Sequence, residues 1–254
     1  MKFSICISAH RLDRRLRNTL TLLQDLDYER KDFEICLLLN TEQESSILKF
    51  ISLVDSFKRI NQSLGPSRAK NEAIAMAKHE WVVLLDSDDF LVPSTLKQYQ
   101  EIILKYPSIQ IGYEFSSINF IQQQSFYPPD REGYAIFFQE QKDRAVKTAA
   151  CGRPVLIRKS SFPQFDPAFG FAEERKLACD YWKTGKDTHI MDTISYVYNW
   201  NDTGIKKDEV ALKKIEKLAQ RSNPLIVVAK SSSFLTEKDK EFIQKAFLLE
   251  GVNL

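Results

Sequence analysis

Three aspartates follow a strongly apolar segment and are the residues of this sequence best suited to carry chemistry. The segment at 81–85 reads WVVLL, and Asp86, Asp88 and Asp89 come directly after it. Carboxylates beside so apolar a strand are costly to bury unless a cation compensates them. Carboxylate oxygens at the end of a strand suit Mg²⁺ or Mn²⁺ shared with a phosphorylated ligand. The alternative is structural, because acidic residues are also typical of helix N-termini.

Strands and helices alternate through the first hundred residues, and this alternation must position the aspartates. Apolar strand patterns lie at 3–9, 33–39 and 80–85, and a shorter, edge-like strand lies at 57–62. Helical patterns fill the intervals, and a further helix begins after Pro93. Near-continuous apolar strands separated by helices indicate a parallel sheet covered on both faces. Ligands of such sheets bind beyond the carboxyl ends of the strands, where the aspartates lie.

The second half of the chain has a less regular pattern. Its predicted elements are strands at 109–121, 153–159 and 195–200, a polar loop at 122–133, and helices at 173–183, 207–220 and 236–249. The last two helices carry many charges and follow the final strand pattern. We therefore expect an α/β protein with a mainly parallel sheet flanked by helices, and with a small helical appendage at its C-terminus.

Composition and charge are those of an ordinary globular protein. The chain has 254 residues, 43% hydrophobic and 28% charged, and a net charge of +2, which does not suggest nucleic acid as the main partner. Cys6, Cys36, Cys151 and Cys179 show no metal-ligand spacing and suit a reducing compartment. No apolar run approaches the roughly 18–20 residues of a membrane span. We expect a cytoplasmic protein, with peripheral attachment to the inner face of the membrane left open.

The sequence around the aspartates resembles the central signature of family 2 glycosyltransferases, which have the GT-A fold. The matching segment, at 63–93, is SLGPSRAKNEAIAMAKHEWVVLLDSDDFLVP, of the form G-x-x-x-A-[RK]-N, apolar helix, strand, D-x-D-D. FSICISAHRL resembles the first strand of the family, DFEICLLLNTEQES the second, and FDPAFGFAEERKLACDYWKTG the helix with an acidic pair. The resemblance implies a catalytic domain at 1–205, with a nucleotide-binding half at 1–106, an acceptor half at 107–205, and a C-terminal helical extension at 206–254.

The resemblance also implies a set of donor-binding residues. By similarity, Asp88 binds Mn²⁺ or Mg²⁺ directly, and Asp86 lies near the ribose or a metal-bound water. Ser8 corresponds to a nucleobase contact, and Lys70 lies near the base or the phosphates, unless it is a solvated helix lysine. Asn40 stands where the family usually has an aspartate that pairs with the base. Because an amide both donates and accepts hydrogen bonds, this departure weakens the expected preference for uridine.

An acidic pair, Glu173-Glu174, begins the helix predicted at 173–183. In the family the second member of this pair takes the proton of the acceptor hydroxyl, which makes Glu174 the implied catalytic base. Helical periodicity puts Glu174 on the apolar stripe with Leu177, and Glu173 on the side of Lys176. The helix dipole keeps a first-turn carboxylate ionised and able to accept a proton. The alternative is that both glutamates only suit a helix N-terminus.

The resemblance implies an inverting, metal-dependent glycosyltransferase. The expected donor is a nucleoside-diphosphate sugar, with a UDP-sugar favoured, and the expected acceptor is a hydroxyl of a glycan or lipid-linked glycan in bacterial envelope biosynthesis. The loop at 122–133 is the expected acceptor-side lid. One alternative is a sugar-nucleotide nucleotidyltransferase, which would need a glycine-rich loop that SAHRLDRR does not provide. The other is a non-catalytic nucleotide-sugar-binding protein.

Overall fold

The secondary structure follows the predicted alternation through the first half of the chain. A computed structural model describes residues 1–41, 48–115, 118–121, 124–126, 131–148, 152–200, 209–220, 225–232 and 234–251. In chain order its elements are β1 (Phe3–Ala9), α1 (Arg14–Leu22), β2 (Phe33–Asn40), α2 (Leu48–Ile51), β3 (Ser56–Ile60), α3 (Pro66–Met76), β4 (Trp81–Asp86), β5 (Phe90–Leu91), α4 (Thr95–Lys105), β6 (Ile111–Glu114), β7 (Ile118–Ile121), β8 (Gln124–Phe126), α5 (Arg131–Thr148), β9 (Arg153–Arg158), α6 (Glu173–Trp182), β10 (Thr188–Asp192), β11 (Tyr196–Trp200), α7 (Glu209–Gln220), β12 (Ile226–Lys230) and α8 (Glu237–Leu249). Among these helices, none is both long enough and apolar enough to cross a membrane.

The strands form a large sheet and a small one. Within the described residues the large sheet has the order β12-β10-β6-β9-β4-β1-β2-β3, and the small sheet has the order β5-β11-β7-β8. In the large sheet β9 runs antiparallel to β4 and β6, and the other neighbours are parallel. The mainly parallel sheet is as predicted. The direction of β9 was not predicted, because an apolar pattern is the same for either direction of a strand.

The central strands β1, β2 and β4 are buried on both faces, and their residues alternate between two cores. Ile5 and Ile7 pack in the core on one face with α1 and α4, whereas Cys6 packs in the other core with α3 and α6. Successive side chains of a strand point to opposite faces, so a sheet covered by helices on both sides needs apolar residues at nearly every position. This explains the continuous apolar runs of the sequence.

The C-terminal region contains a strand as well as helices. The sequence predicted helices alone for 206–254, but β12 pairs in parallel with β10 at the edge of the large sheet. Periodicity cannot assign so short an apolar run, which is why the strand was missed. The buried Asp239 of α8 accepts hydrogen bonds from the amide and the hydroxyl of Ser94, at 2.9 and 2.8 Å, just before α4. The domain boundary at residue 205 stays a prediction.

Two further expectations for the second half were wrong. The single strand predicted at 109–121 is two strands, β6 and β7, in different sheets. The loop predicted at 122–133 contains β8 and the start of α5, and its other residues, 122–123 and 127–130, lie outside the described part of the chain. The helix α5 was not predicted, because its apolar residues at 135–138 are consecutive and not at helical spacing.

Candidate active site

The predicted donor residues lie at the carboxyl ends of parallel strands. Asp86 is the last residue of β4, and the register between β1 and β4 pairs it with Ser8. Asn40 is the last residue of β2, the other neighbour of β1, and is buried. The carboxyl ends of parallel strands meet at one edge of the sheet, which is where such sheets bind ligands. The structure therefore brings these three residues to the predicted edge.

The turn between β4 and β5 carries the other two aspartates. The hydroxyl of Thr19 donates a hydrogen bond to the carbonyl oxygen of Ser87 at 3.1 Å and holds this turn. Asp88 is half-buried, whereas Asp89 is only 1% exposed. The carboxylate of Asp89 accepts a hydrogen bond from the backbone N–H of Asn199 at 2.9 Å. Asp89 thus ties the turn to β11, while Asp88 stays nearer to solvent.

Lys70 links the donor edge to the acidic pair. The helix α3, which begins at Pro66, carries Lys70 with its side chain only 6% exposed. Its Nζ lies 2.6 Å from Oε1 of Glu174, 2.9 Å from Oε1 of Glu173 and 3.6 Å from Oδ1 of Asp86. Burial alone would lower the pKa of Lys70, but the two glutamates raise it above its usual value. The alternative of a solvated helix lysine is therefore wrong.

Glu173 and Glu174 form the first turn of α6, and both contact Lys70. The residue before them, Ala172, has left-handed backbone angles, φ 55° and ψ 30°. Periodicity predicted that Glu173 would lie on the side of Lys176, and Glu173 is also buried, with 8% exposure. Glu173 and Glu174 both reach Lys70 because helical side chains lean towards the N-terminus of the helix. Two consecutive first-turn carboxylates can therefore reach one cation at that end.

Glu174 is held in its ionised form. Burial alone would raise the pKa of Glu174, but the charges of Lys70 and Arg153 outweigh this effect and lower the pKa below its usual value. An ionised carboxylate can accept a proton from a hydroxyl that is placed within hydrogen-bond distance. The arrangement therefore has the charge state that a catalytic base requires.

Arg153 is a site residue that the sequence prediction missed. Its guanidinium forms ion pairs with Asp86 through Nη2 and with Asp89 through Nη1, and its Nε lies 3.7 Å from Oε1 of Glu174. The side chain is only 16% exposed. Arg153, on β9, therefore connects Asp86 to the proposed base Glu174. Lys70, on α3, makes the same connection.

The pairing of β4 with β9 explains the position of Arg153. Val83 of β4 pairs with Leu156 of β9 in an antiparallel register. Asp86 is the last residue of β4 and Arg153 is the first residue of β9, so the antiparallel pairing brings them to the same end of the two strands. In the sequence, Arg153 is only an arginine at the start of an apolar run. It can be assigned to the site once β9 is known to lie next to β4.

The cluster carries an excess of negative charge that a divalent cation would compensate. Carboxyl groups outnumber cations in this cluster, and the formal charge is −2 with every carboxyl ionised; its members are Asp86, Asp89, Glu173, Glu174, Lys70 and Arg153. Burial, with Asp88 nearby, raises the pKa of Asp89 well above its usual range. Among the described residues, no group of three or more His, Cys, Asp or Glu side chains is arranged as a metal-ligand set. Mg²⁺ often uses only one or two protein carboxylates when substrate phosphates supply the other ligands. The donor chemistry of Asp86 and Asp88 therefore fits a cation that binds with a phosphorylated ligand.

The fold and the acidic edge define an α/β protein of the GT-A type. The profile described as "Glycosyl transferase family 2" matches residues 4–165, which is more than half of the chain. The chain belongs to glycosyl transferase family 2, and the resemblance seen in its sequence is confirmed.

Among curated proteins, the chain is similar to poly(ribitol-phosphate) beta-N-acetylglucosaminyltransferase TarS of Staphylococcus aureus strains Mu50 and MW2. The identity is 23% over 128 residues, which cover 47% of this chain. The match spans only 22% of the length of those relatives. The similarity therefore concerns one part of TarS.

Solved structures of TarS from S. aureus have the same fold as this chain. A TarS fragment in complex with UDP-GlcNAc has a TM-score of 0.64 at 15% identity, and the alignment covers 98% of this chain and 72% of that one. A TarS fragment in complex with UDP has a TM-score of 0.61 at 15% identity, with 98% and 71% of the two chains covered. These likenesses confirm the predicted α/β fold of the GT-A type.

Proposed function

We propose that this protein is a metal-dependent glycosyltransferase that moves a sugar from a UDP-sugar to an acceptor hydroxyl, with inversion at the anomeric carbon. The contacts of Lys70 with Asp86 and Glu174 carry the proposal, because they join a donor-side carboxylate to a candidate base. Membership of the family supports glycosyl transfer. The TarS complexes with UDP and UDP-GlcNAc support a uridine nucleotide as the donor.

The donor side of the proposal uses the carboxyl edge of the large sheet. Ser8 and Asn40 are assigned to the nucleobase, Asp86 to the ribose or a metal-bound water, and Lys70 to the base or phosphates. Asp88 would hold Mn²⁺ or Mg²⁺. When bound, the cation supplies positive charge that stabilises the departing diphosphate.

The acceptor side of the proposal uses Glu174 as the base. The hydroxyl oxygen of the acceptor bonds to C1 of the sugar while the bond from C1 to the diphosphate oxygen breaks. The hydroxyl proton passes to the carboxylate of Glu174, and the electron pair leaves with the diphosphate. Lys70 holds the carboxylate ionised before the reaction, so that it is ready to accept this proton. Attack from the face opposite the leaving group inverts C1.

Nucleotide binding tests the donor assignment. Thermal unfolding is measured with UDP, GDP, CDP or ADP, each with Mn²⁺ and with EDTA. We expect UDP with Mn²⁺ to raise the unfolding temperature most, because a ligand that binds only the native state stabilises it. In Asp88→Ala, the part of this rise in unfolding temperature that depends on Mn²⁺ should be lost. Asp27→Ala, which changes an exposed aspartate paired with Lys97, is the matched control. No shift with any nucleotide at saturation would contradict the proposal.

Donor hydrolysis separates an enzyme from a non-catalytic binding protein. An active transferase usually passes some sugar to water, so we expect slow release of UDP from a UDP-sugar even without an acceptor. Glu174→Gln should reduce this release without loss of UDP binding. UDP binding combined with no turnover of any UDP-sugar would favour the non-catalytic alternative.

The proposal extends to the acceptor and the location. We assign the acceptor to glycans or lipid-linked glycans of bacterial envelope biosynthesis, which the polymeric poly(ribitol-phosphate) in the name of TarS supports. The cysteines within the described residues, Cys6, Cys36 and Cys179, are free thiols, which supports a cytoplasmic location. Attachment to the inner face of a membrane stays a prediction.

A further inference from the structure

Arg153 contacts three carboxylates that differ in their exposure to solvent. The side chain of Asp89 is 1% exposed, that of Glu174 22%, and that of Asp86 32%. The ion pair with Asp89 is therefore enclosed, whereas the ion pair with Asp86 borders the solvent. Of the three carboxylates, Asp86 is the one nearest to solvent, so its contact with Arg153 is the one that an incoming ligand reaches first.

The rings of two tyrosines of β11 lie against the guanidinium of Arg153. The centre of the guanidinium lies 5.5 Å from the ring centroid of Tyr196 and 5.2 Å from that of Tyr198. Cation–π contacts of this length are favourable and more so when water is excluded. With Asp89 on one edge and the rings beside it, Arg153 has a defined orientation at the carboxyl edge of the sheet.

The excess of carboxyl groups in the cluster disfavours a bare anion, but Arg153 offers a local contact for a phosphate. A donor diphosphate approaching Asp86 meets a cluster in which carboxyl groups outnumber cations. The Nζ of Lys70 already contacts Glu173 and Glu174. Arg153 presents its Nη2 edge towards the half-exposed Asp86. A planar guanidinium matches two oxygens of a phosphate, which makes arginine well suited to diphosphate recognition.

We propose that Arg153 binds the diphosphate of the donor, an inference that rests on the proposed function of this site. In the structure Asp86 forms an ion pair with the Nη2 edge of the guanidinium. When the donor binds, a diphosphate oxygen takes that place, and Asp89 keeps the Nη1 edge. The exchange also releases Asp86, which the donor site requires for the ribose or a metal-bound water. Diphosphate binding and the preparation of Asp86 are thus one event.

Calorimetric titration with UDP and with uridine tests this assignment. Arg153→Gln should weaken UDP binding by about 10- to 100-fold, the range expected when a hydrogen bond to a charged group is lost. Uridine lacks the diphosphate, so its affinity should not fall. Arg153→Lys keeps the charge but loses the planar fork, and should fall between Arg153→Gln and the wild type. The same order of UDP affinities among the three proteins is expected with Mn²⁺ and with EDTA.

Arg158 provides a matched control on the same strand. It lies at the other end of β9, where its guanidinium donates to the carbonyl oxygen of Pro107 at 3.1 Å and stacks 4.7 Å from the ring of Trp81. Arg158→Gln removes the same chemical group from the same strand but away from Asp86. UDP affinity should therefore equal that of the wild type.

The outcomes separate this assignment from the proposed function. UDP affinity of Arg153→Gln equal to or above that of the wild type would show that the guanidinium only neutralises carboxylates, and would overturn the assignment alone. Equal losses for UDP and uridine would also overturn it. If Arg153→Gln does not fold, Arg153→Lys decides, since it preserves the charge of the cluster. A wild-type protein that binds neither UDP nor uridine would contradict the proposed function and this assignment with it.

Discussion

Two glutamates of this protein, the half-buried Glu174 in the candidate site and the buried Glu114 at the end of β6, have different partners and opposite pKa shifts. Glu174 contacts cations, and Lys70 and Arg153 lower its pKa although burial opposes them. Glu114 accepts hydrogen bonds from the amide N–H of Ser195 and the hydroxyl of Thr193, both at 2.8 Å. Burial raises its pKa to about 7 despite these hydrogen bonds. The two cations beside Glu174 outweigh the effect of its burial, whereas the neutral donors around Glu114 do not.

The same contrast separates the proposed base, Glu174, from a group that supports the site, Glu114. The hydrogen bonds of Glu114 hold the segment 193–195, which leads into β11. That strand carries Tyr196 beside Arg153. We infer that Glu114 supports the site through the backbone, whereas the charge on Glu174 is itself part of the site. The predictions below test the two roles, in decreasing order of expected effect.

Removal of Lys70 should have the largest effect. Lys70→Met removes the cation that the buried Glu173 and the half-buried Glu174 share, and breaking a buried ion pair in this way costs about 3–5 kcal/mol. Urea unfolding at neutral pH measures the change in the free energy of unfolding. Lys58→Met is the control, because Lys58 and its partner Glu72 are 48% and 43% exposed, and such a pair contributes less than about 1 kcal/mol. Equal losses for the two variants would show that the cluster is not coupled as described.

Substitution of Glu174 should act on turnover and not on donor binding. Glu174→Gln is nearly isosteric but cannot accept the proton, so turnover should fall by roughly 10²-fold or more, the scale of general base catalysis. Steady-state release of UDP measures turnover, and calorimetry measures UDP affinity, which should be retained. Glu72→Gln, on the exposed face of α3, is the control. Near-normal turnover in Glu174→Gln would remove Glu174 as the base.

Substitution of Glu114 should change the pH dependence of stability. The carboxyl has a pKa of about 7 in the folded protein and its usual value of 4.5 in the unfolded chain, so the folded protein binds more protons between these values. Stability therefore falls as pH rises through this window, by about 2 kcal/mol between pH 5 and pH 7. Glu114→Gln should lack this component. The free energy of urea unfolding at pH 5, 6 and 7 measures it, and parallel curves for the two proteins would contradict the prediction.

The left-handed residue before the acidic pair should give the smallest effect. Ala172 has a φ of 55°, a conformation that costs an alanine about 1 kcal/mol and a glycine little. Ala172→Gly should therefore stabilise the protein by about 0.5–1 kcal/mol, reduced by the larger entropy of glycine in the unfolded chain. The exposed helical Ala75 is the control, because Ala75→Gly should lower stability by about 1 kcal/mol. Losses in both variants would mean that Ala172 is not strained.

The secondary structure of the nucleotide-binding half could be predicted from local sequence patterns. The strands β1 and β4 and the helix α3 form where the apolar periodicity predicts them, and the D-x-D turn follows β4. Each of these depends on residues that are close in sequence, and burial on both faces of the sheet makes the apolar pattern strong. In the second half the strands β7 and β8 are short and belong to a separate sheet, so their patterns predicted one strand and one loop instead.

The sequence by itself determined the α/β class, the edge at which Asp86 and Ser8 meet, and the family of the protein. Only the tertiary structure decided that Glu173 shares Lys70 with Glu174 and that Arg153 pairs with Asp86. Periodicity states which face of its own element a residue occupies. A pairing between distant residues depends instead on which strand lies next to which, and in which direction. The position of β9, next to β4 and antiparallel to it, depends in this way on the packing of the whole sheet.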